Sequence, residues 1–341
     1  MKYLVFSVAF LTSMYGISTI LLARRTAIVH NNDFLSLDIC NICKGLSIIL
    51  IMLGHIGNLF GTRVLTPLGS WGVGVFLFLS GYGLTCSVQK NGLNGFWKRR
   101  IKTAYLPYIT AEVLGFVFCL GVNYQEKTLI KIVCDALLIK TVHPYGWYMQ
   151  CLFLYYIIFF LAQKFFANKK PYLYAFIFLA SGLMFLNFRE LFKQQLFPFT
   201  MGVFVADHIS QFRRKADSIW YGGTCIVLGL VCLFLRQISF VRESYWVVYN
   251  VIHAMQVAFL TMGTVFSVQF LCNNWKDIFT DVFLKIGLIS YELYLYHGFV
   301  FGYIIRFEMS YCTISVFFLA SFGVAMAIKY IRNAIRKDGF L

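Results

Sequence analysis

Residues 44–57 read "KGLSIILIMLGHIG", an apolar stretch with a lysine at its start and a histidine eleven positions later. Without the two ionisable residues it would be an ordinary lipid-solvated helix. Comparable runs of about 17 to 25 residues recur along the chain, separated by short polar loops that hold Lys or Arg. Spanning helices need that length, because each residue rises ~1.5 Å. Continuous runs of this kind exclude a β-barrel, which requires short alternating segments. Composition agrees: of 341 residues 60% are hydrophobic, 19% aromatic and 13% charged, with a mean hydropathy of +0.72. No soluble domain of this length has that balance. The expected fold is all-α, a polytopic transmembrane helix bundle of about 11 spans. They fall at roughly 3–22, 43–60, 71–89, 104–122, 147–166, 172–187, 195–210, 219–236, 246–271, 284–305 and 311–331.

The net charge of +16 would suggest nucleic acid in a soluble protein. Here the basic residues cluster in loops at helix ends, so membrane topology accounts for them and no nucleic-acid partner is expected. With the N-terminus outside, 20 of the 30 Lys and Arg fall inside, including Arg24-Arg25, Lys98 to Lys102 and Arg213 to Lys215. The positive-inside bias therefore predicts a multi-pass protein of the plasma membrane with an outer N-terminus and a cytoplasmic C-terminus. Residues 1–22 are expected to stay as a membrane helix rather than be removed as a secretory signal. The apolar run is long, lacks a small-x-small cleavage site, and is followed by Arg24-Arg25. Segment 123–146 carries "EKTLIKIVCDALLIK", whose apolar spacing fits an amphipathic helix along the outer interface. Ten cysteines lie mostly in apolar runs, so free thiols are expected. The lone Cys40-x-x-Cys43 lacks the second ligand pair a zinc site needs, and no metal is expected.

At 100° per residue, the eleven positions from Lys44 to His55 make three turns plus 20°. Both side chains therefore leave one helix face, ~16 Å apart along the axis. Ionisable groups in a bilayer core are costly and usually face a cavity or bundle interior, which makes His55 a functional candidate. The alternative is a neutral histidine bonded to a neighbouring helix. Asn58, one turn on, could orient the ring.

Other stretches could also carry chemistry. "GSWGVGVFLFLSGYGL" contains Ser80, Tyr82 and glycines that allow close helix approach. "FWKRRIKTAYLPY" supplies Arg99, Arg100 and Lys102, either topological anchors or guanidinium donors for a phosphate. "PYGWYMQCLFLYY" places Tyr145, Trp147 and Tyr148 where an interfacial aromatic belt or a sugar-stacking surface would lie. In "SYELYLYHGF", Glu292 and His297 are five residues and 500° apart, so they do not share a face. Glu112 and His253 are further intramembrane ionisable residues for which structural pairing is the expected role.

Taken in order, these stretches resemble the acyltransferase 3 family of integral membrane enzymes. "KGLSIILIMLGH" resembles its opening helix, with Lys44 where Arg is frequent and His55 at the essential histidine. "GVGVFLFLSGYGL", "GWYMQCLFLYY" and "ISYELYLYH" are similar to its glycine-aromatic-Ser-Gly helix, its Trp-aromatic helix start and its Ser-Tyr-x-x-Tyr-Leu-x-His segment. The basic stretch departs: Arg100 fits, but Ala104 stands where the family often has a second Arg. The resemblance spans roughly 38–331. It implies a domain at 38–341 with a ten-helix core, preceded by an extra helix and cytoplasmic linker at 1–37.

It further implies transfer of an acyl group, expected to be acetyl from acetyl-CoA, to a hydroxyl of a cell-surface, capsular or lipid-linked glycan. Acyl-CoA is then a substrate, with no permanently bound cofactor. Its phosphates are expected near Lys44, Arg99, Arg100 and Lys102. His55 is the expected general base or acyl carrier. Asn58, Ser80, Tyr82, Trp147, Tyr148, Glu292 and His297 are expected to line the substrate path. Only ten residues come after the last span, so a stand-alone enzyme is expected. The rival reading is a glycan or lipid exporter coupled to protons; interrupted half-helices would favour it, and the sequence shows none.

Overall fold

The computed structural model describes residues 2–23, 33–59, 64–120, 129–139, 146–187, 190–243, 246–274, 278–308 and 310–337. All regular structure in them is helical. The chain runs through α1 (Lys2–Ala23), α2 (Leu37–Leu59), α3 (Thr66–Asn91), α4 (Phe96–Arg100), a π-helical turn (Ile101–Tyr105), α5 (Leu106–Leu120) and α6 (Leu129–Ala136). It continues through α7 (Trp147–Phe166), α8 (Lys170–Asn187), α9 (Glu190–Lys193), α10 (Pro198–Asp207), α11 (Ile209–Ala216) and α12 (Ile219–Leu235). The last five are α13 (Ser239–Arg242), α14 (Trp246–Asn274), α15 (Ile278–Leu288), α16 (Ser290–Ile304) and α17 (Tyr311–Lys337).

Where they are described, the eleven expected apolar segments lie mostly on helices, but they are not eleven uninterrupted rods. Among the described residues five helices qualify as membrane spans by length and composition: 37–57, 66–91, 147–166, 246–274 and 311–334. A sixth is reached if α11 and α12, bent by 93°, count as one. Several apolar helices of this length fit a multi-pass membrane protein. Against the sequence expectation, interrupted helices are present. The run expected at 284–305 breaks at Ile289, where the Ser290 hydroxyl donates to the Gly287 carbonyl at 2.7 Å and ends α15. The run expected at 195–210 is a turn, the ten-residue α10 and the start of basic α11.

Apolar surface buried between helices does not separate protein from lipid tails, so association relies on close backbone packing and interhelical hydrogen bonds. Glycine supplies the first. Gly45 and Gly287 lie in the α2–α15 contact, where a Cβ would overlap the carbonyls of Phe283 and Asn41. Gly81 and Gly202 do the same for α3 and α10. Polar bonds supply the second: Trp71 Nε1 of α3 donates to Thr264 Oγ1 of α14 at 2.7 Å, and Lys170 of α8 pairs with Asp207 of α10 at 2.8 Å. α1 packs on α17, with Phe10 and Phe318 edge to face at 5.3 Å.

Segment 123–146 is described at 129–139 and at 146. There the expected helix forms as α6, with Ile130 and Val133 exposed and Asp135 buried: Asp135 accepts from Tyr108 Oη at 2.6 Å, while Tyr105 donates to the Ala136 carbonyl at 2.7 Å. Tyr145 lies outside the described residues.

Candidate functional site

α2 and α16 run side by side, and their two histidines meet in the bundle. The His55 and His297 ring centroids are 5.3 Å apart with planes 21° from parallel. His297 is fully buried and His55 half-buried. Phe301, one turn beyond His297, flanks His55 at 6.1 Å. The Nδ1 of His297 lies 2.9 Å from the Leu293 carbonyl and 2.8 Å from that of Tyr294. Carbonyls only accept, so Nδ1 carries the hydrogen and the lone pair of the neutral ring is on Nε2.

An aromatic wall leads from this pair toward the Lys44 end of α2. Tyr294 lies 5.8 Å from His297, 4.8 Å from Tyr148 and 6.3 Å from Phe76. Ser80 of α3 bonds Tyr148 and donates to the Phe76 carbonyl at 2.9 Å. Ser80 and Tyr148 thus reach the same wall. Tyr82 does not: it leaves α3 about 200° from Ser80 and is buried against Cys86 and Cys40. Trp147 turns to Phe192 at 6.2 Å. Asn58 is within α2, but its side chain lies outside the described residues.

At the Lys44 end the charges gather. Glu292, 2% exposed in the first turn of α16, forms an ion pair with Arg332 of α17. Lys329, one turn before Arg332, donates to the Leu288 carbonyl and interacts electrostatically with Glu292 and Lys44. Lys44 itself donates to Asn41 at 3.3 Å. The Arg100 guanidinium lies 6.0 Å from the Phe96 and Tyr156 ring centroids and bonds the Tyr156 hydroxyl. Tyr291 joins this group, with its hydroxyl donating to the Ala104 carbonyl at 2.6 Å. Lys329 and Arg332 stand close to Glu292 and Lys44 close to Lys329, while Glu112 acts on Tyr296 beside the same pair, so cations of several elements gather at this end of the bundle.

Arg99 and Lys102 diverge from Arg100. Arg99 Nη1 donates to the Asn94 carbonyl at 2.5 Å, and Lys102 is exposed on the π-helical turn. That turn widens the helix by one residue and reorients the backbone beyond it, including the Ala104 carbonyl that Tyr291 uses. Sequence reasoning missed Lys329 and Arg332 as site residues and counted them only as topological charge. Their spacing of three, one turn apart on a helix, was the available signal. Glu292 and His297, which the angular argument separated, do find different partners. Cys40 and Cys43 are buried free thiols, and among the described residues no three His, Cys, Asp or Glu side chains are grouped to hold a metal.

The described residues thus form a helical membrane bundle with stacked imidazoles in its interior and basic side chains gathered at one end. The family comparison gives the class. Residues 37–331 match the Acyl_transf_3 model, described as an acyltransferase domain, and the chain belongs to this family. No match is found among curated proteins or among solved structures.

Proposed function

We propose that the protein transfers an acyl group, acetyl by preference, from acyl-CoA at the cytoplasmic membrane face to a hydroxyl of a surface or lipid-linked glycan. The observation that carries this reading is the stacked His55–His297 pair inside the bundle. The orientation is that of the positive-inside bias, so the Lys44 end faces the cytoplasm. Lys44, Arg100, Lys329 and Arg332 receive the CoA phosphates, and the thioester reaches His55 along the wall of Tyr148 and Tyr294.

His55 takes the proton of the acceptor hydroxyl as its oxygen attacks the thioester carbonyl. The new C–O bond forms, the C–S bond breaks, and the imidazolium returns the proton to the departing CoA thiolate. In the covalent variant, the His55 nitrogen attacks the thioester carbonyl and the C–S bond breaks to release CoA thiolate; the acceptor oxygen then attacks the acyl-imidazole, the C–N bond breaks to free His55, and the hydroxyl proton passes to the thiolate. His297, fixed with its lone pair on Nε2, supports the imidazolium without adding a second charge. The break at Ile289 is a feature that a transporter would share, but membership of an acyltransferase family favours group transfer.

The test compares wild type with His55→Ala by NMR of the isolated surface glycan. O-acyl signals are expected to disappear while glycan is still exported. Acyl signals persisting at the wild-type level with a stably inserted variant would sink the assignment, and loss of export together with acylation would favour the transporter.

A further inference from the structure

A second polar cluster lies where α12 ends and α14 begins, away from the histidine pair. The two sites lie on opposite sides of α3: Gly74 of that helix faces Val257 and Thr261 of α14, whereas Phe76 faces Tyr148 and Tyr294. Arg236, the residue that caps α12, donates from Nη1 to Gln256 Oε1 at 2.6 Å and from Nη2 to Tyr249 Oη at 2.7 Å. Its guanidinium carbon sits 4.9 Å from the Tyr249 ring centroid, and that ring is 6.3 Å from the ring of His253. No ion pair to Arg236 exists among the described residues.

Three buried nitrogens of this cluster have no hydrogen-bond partner among the described residues: Arg236 Nε, His253 Nε2 and Gln256 Nε2. His253 is 6% exposed and Gln256 fully buried. The Gln256 and Tyr249 oxygens already accept from Arg236; Arg236 Nε and Gln256 Nε2 can only donate, and His253 Nε2 donates in the tautomer that carries its hydrogen there. Buried donors are normally satisfied, and leaving one unmade costs ~1–3 kcal/mol. An interhelical clamp between α12 and α14 explains the two Arg236 bonds. It leaves the other nitrogens on the same short stretch unexplained, whereas an oxyanion would accept from all three.

The surroundings identify how such an anion arrives. Phe234 and Phe240, two residues before and four after Arg236, are 69% and 83% exposed; Trp246, three residues before Tyr249, is half-exposed, and Lys193 lies 4.6 Å over its ring. Apolar rings turned outward next to a donor cluster at a helix end fit a molecule with hydrocarbon chains and an anionic head. We propose that the α12–α14 end binds the phosphate of an anionic membrane lipid, with Arg236, Gln256 and His253 donating to its oxygens and the exposed rings contacting its chains. This site does not depend on the acyl-transfer reading.

The test uses full-length protein purified in mild detergent and incubated with phosphatidylglycerol, read by native mass spectrometry. One lipid per chain is expected to be retained in preference to phosphatidylcholine. Arg236→Gln is expected to weaken retention at least about tenfold, the loss of a charge-assisted pair of bonds. Gln256→Leu keeps the cation and the apolar packing, and is expected to weaken retention severalfold even if Arg236→Gln does not fold. Equal retention by wild type and Gln256→Leu would overturn the proposal. So would release of the lipid by millimolar inorganic phosphate, which would mark a site for free anions.

Discussion

Replacing Arg332 with methionine tests the Lys44 end most directly, because it leaves the Glu292 carboxylate 2% exposed with its ion-pair partner gone. Breaking a buried pair from one side costs ~3–5 kcal/mol, since the remaining charge stays desolvated. Lys329 interacts with the same carboxylate and offsets part of the loss, which places the expected cost near ~3 kcal/mol. At roughly 2 °C per kcal/mol for a long chain, the melting temperature should fall by about 6 °C. The opposite change, Glu292→Gln, should cost less: Arg332 is 26% exposed and its long side chain can turn toward solvent. In the double variant no charge is stranded, so much of the loss should return. A thiol-reactive dye reads the transition directly, because Cys43 and Cys151 are free and fully buried until the bundle opens. The reasoning fails if Arg332→Met melts within about 1 °C of wild type, or if the double variant melts no higher than Arg332→Met.

Three other contacts give further expected outcomes. Gly287→Ala should destabilise the bundle by ~1–3 kcal/mol in the same dye assay, because its Cβ would overlap the Asn41 carbonyl and push α15 from α2. Tyr108→Phe should cost ~1–3 kcal/mol by stripping buried Asp135 of its 2.6 Å donor, and should expose α6 to limited proteolysis. Arg100→Ala should raise the KM for acyl-CoA about tenfold with kcat little changed, as loss of a ground-state anion contact does. Arg99→Ala should change KM less, because Arg99 turns to the Asn94 carbonyl instead; steady-state measurement of CoA release separates the two.

Much of the helix layout is legible from hydropathy, because a chain that must satisfy its backbone within lipid has few alternatives to helix. Hydropathy does not register a change of backbone direction. The break at Ile289 and the π-helical turn at 101–105 both lie inside apolar or basic runs that read as unbroken, and the bonds that stabilise them come from Ser290 and from Tyr291 on another helix. The same limit applies to charge. Lys329 and Arg332 look like topological anchors because loop counting assigns their side of the membrane but not their distance from Glu292. His55 and His297 are 242 positions apart, so no periodicity could pair them. Local arithmetic did succeed within one helix: the 500° between Glu292 and His297 separated an ion-pairing residue from an imidazole that stacks elsewhere.

The break at Ile289 also accounts for how one chain segment touches α2 twice. Gly287 of α15 rests against Asn41, and His297 of α16 stacks on His55. In a continuous helix the ten steps between them would turn 1000°, leaving His297 about 80° away from the face that carries Gly287. The turn resets that phase. Gly287 can then hold α15 close to α2 while α16 presents its histidine to the same helix, deeper in the bundle. Glu292 and Arg332 pin α16 in the turn just after the break, where a reset helix would otherwise be free to rotate. The buried ion pair is thus a positioning device for His297 as well as part of the charge balance at the Lys44 end. Losing it should disturb the imidazole pair before it disturbs the fold.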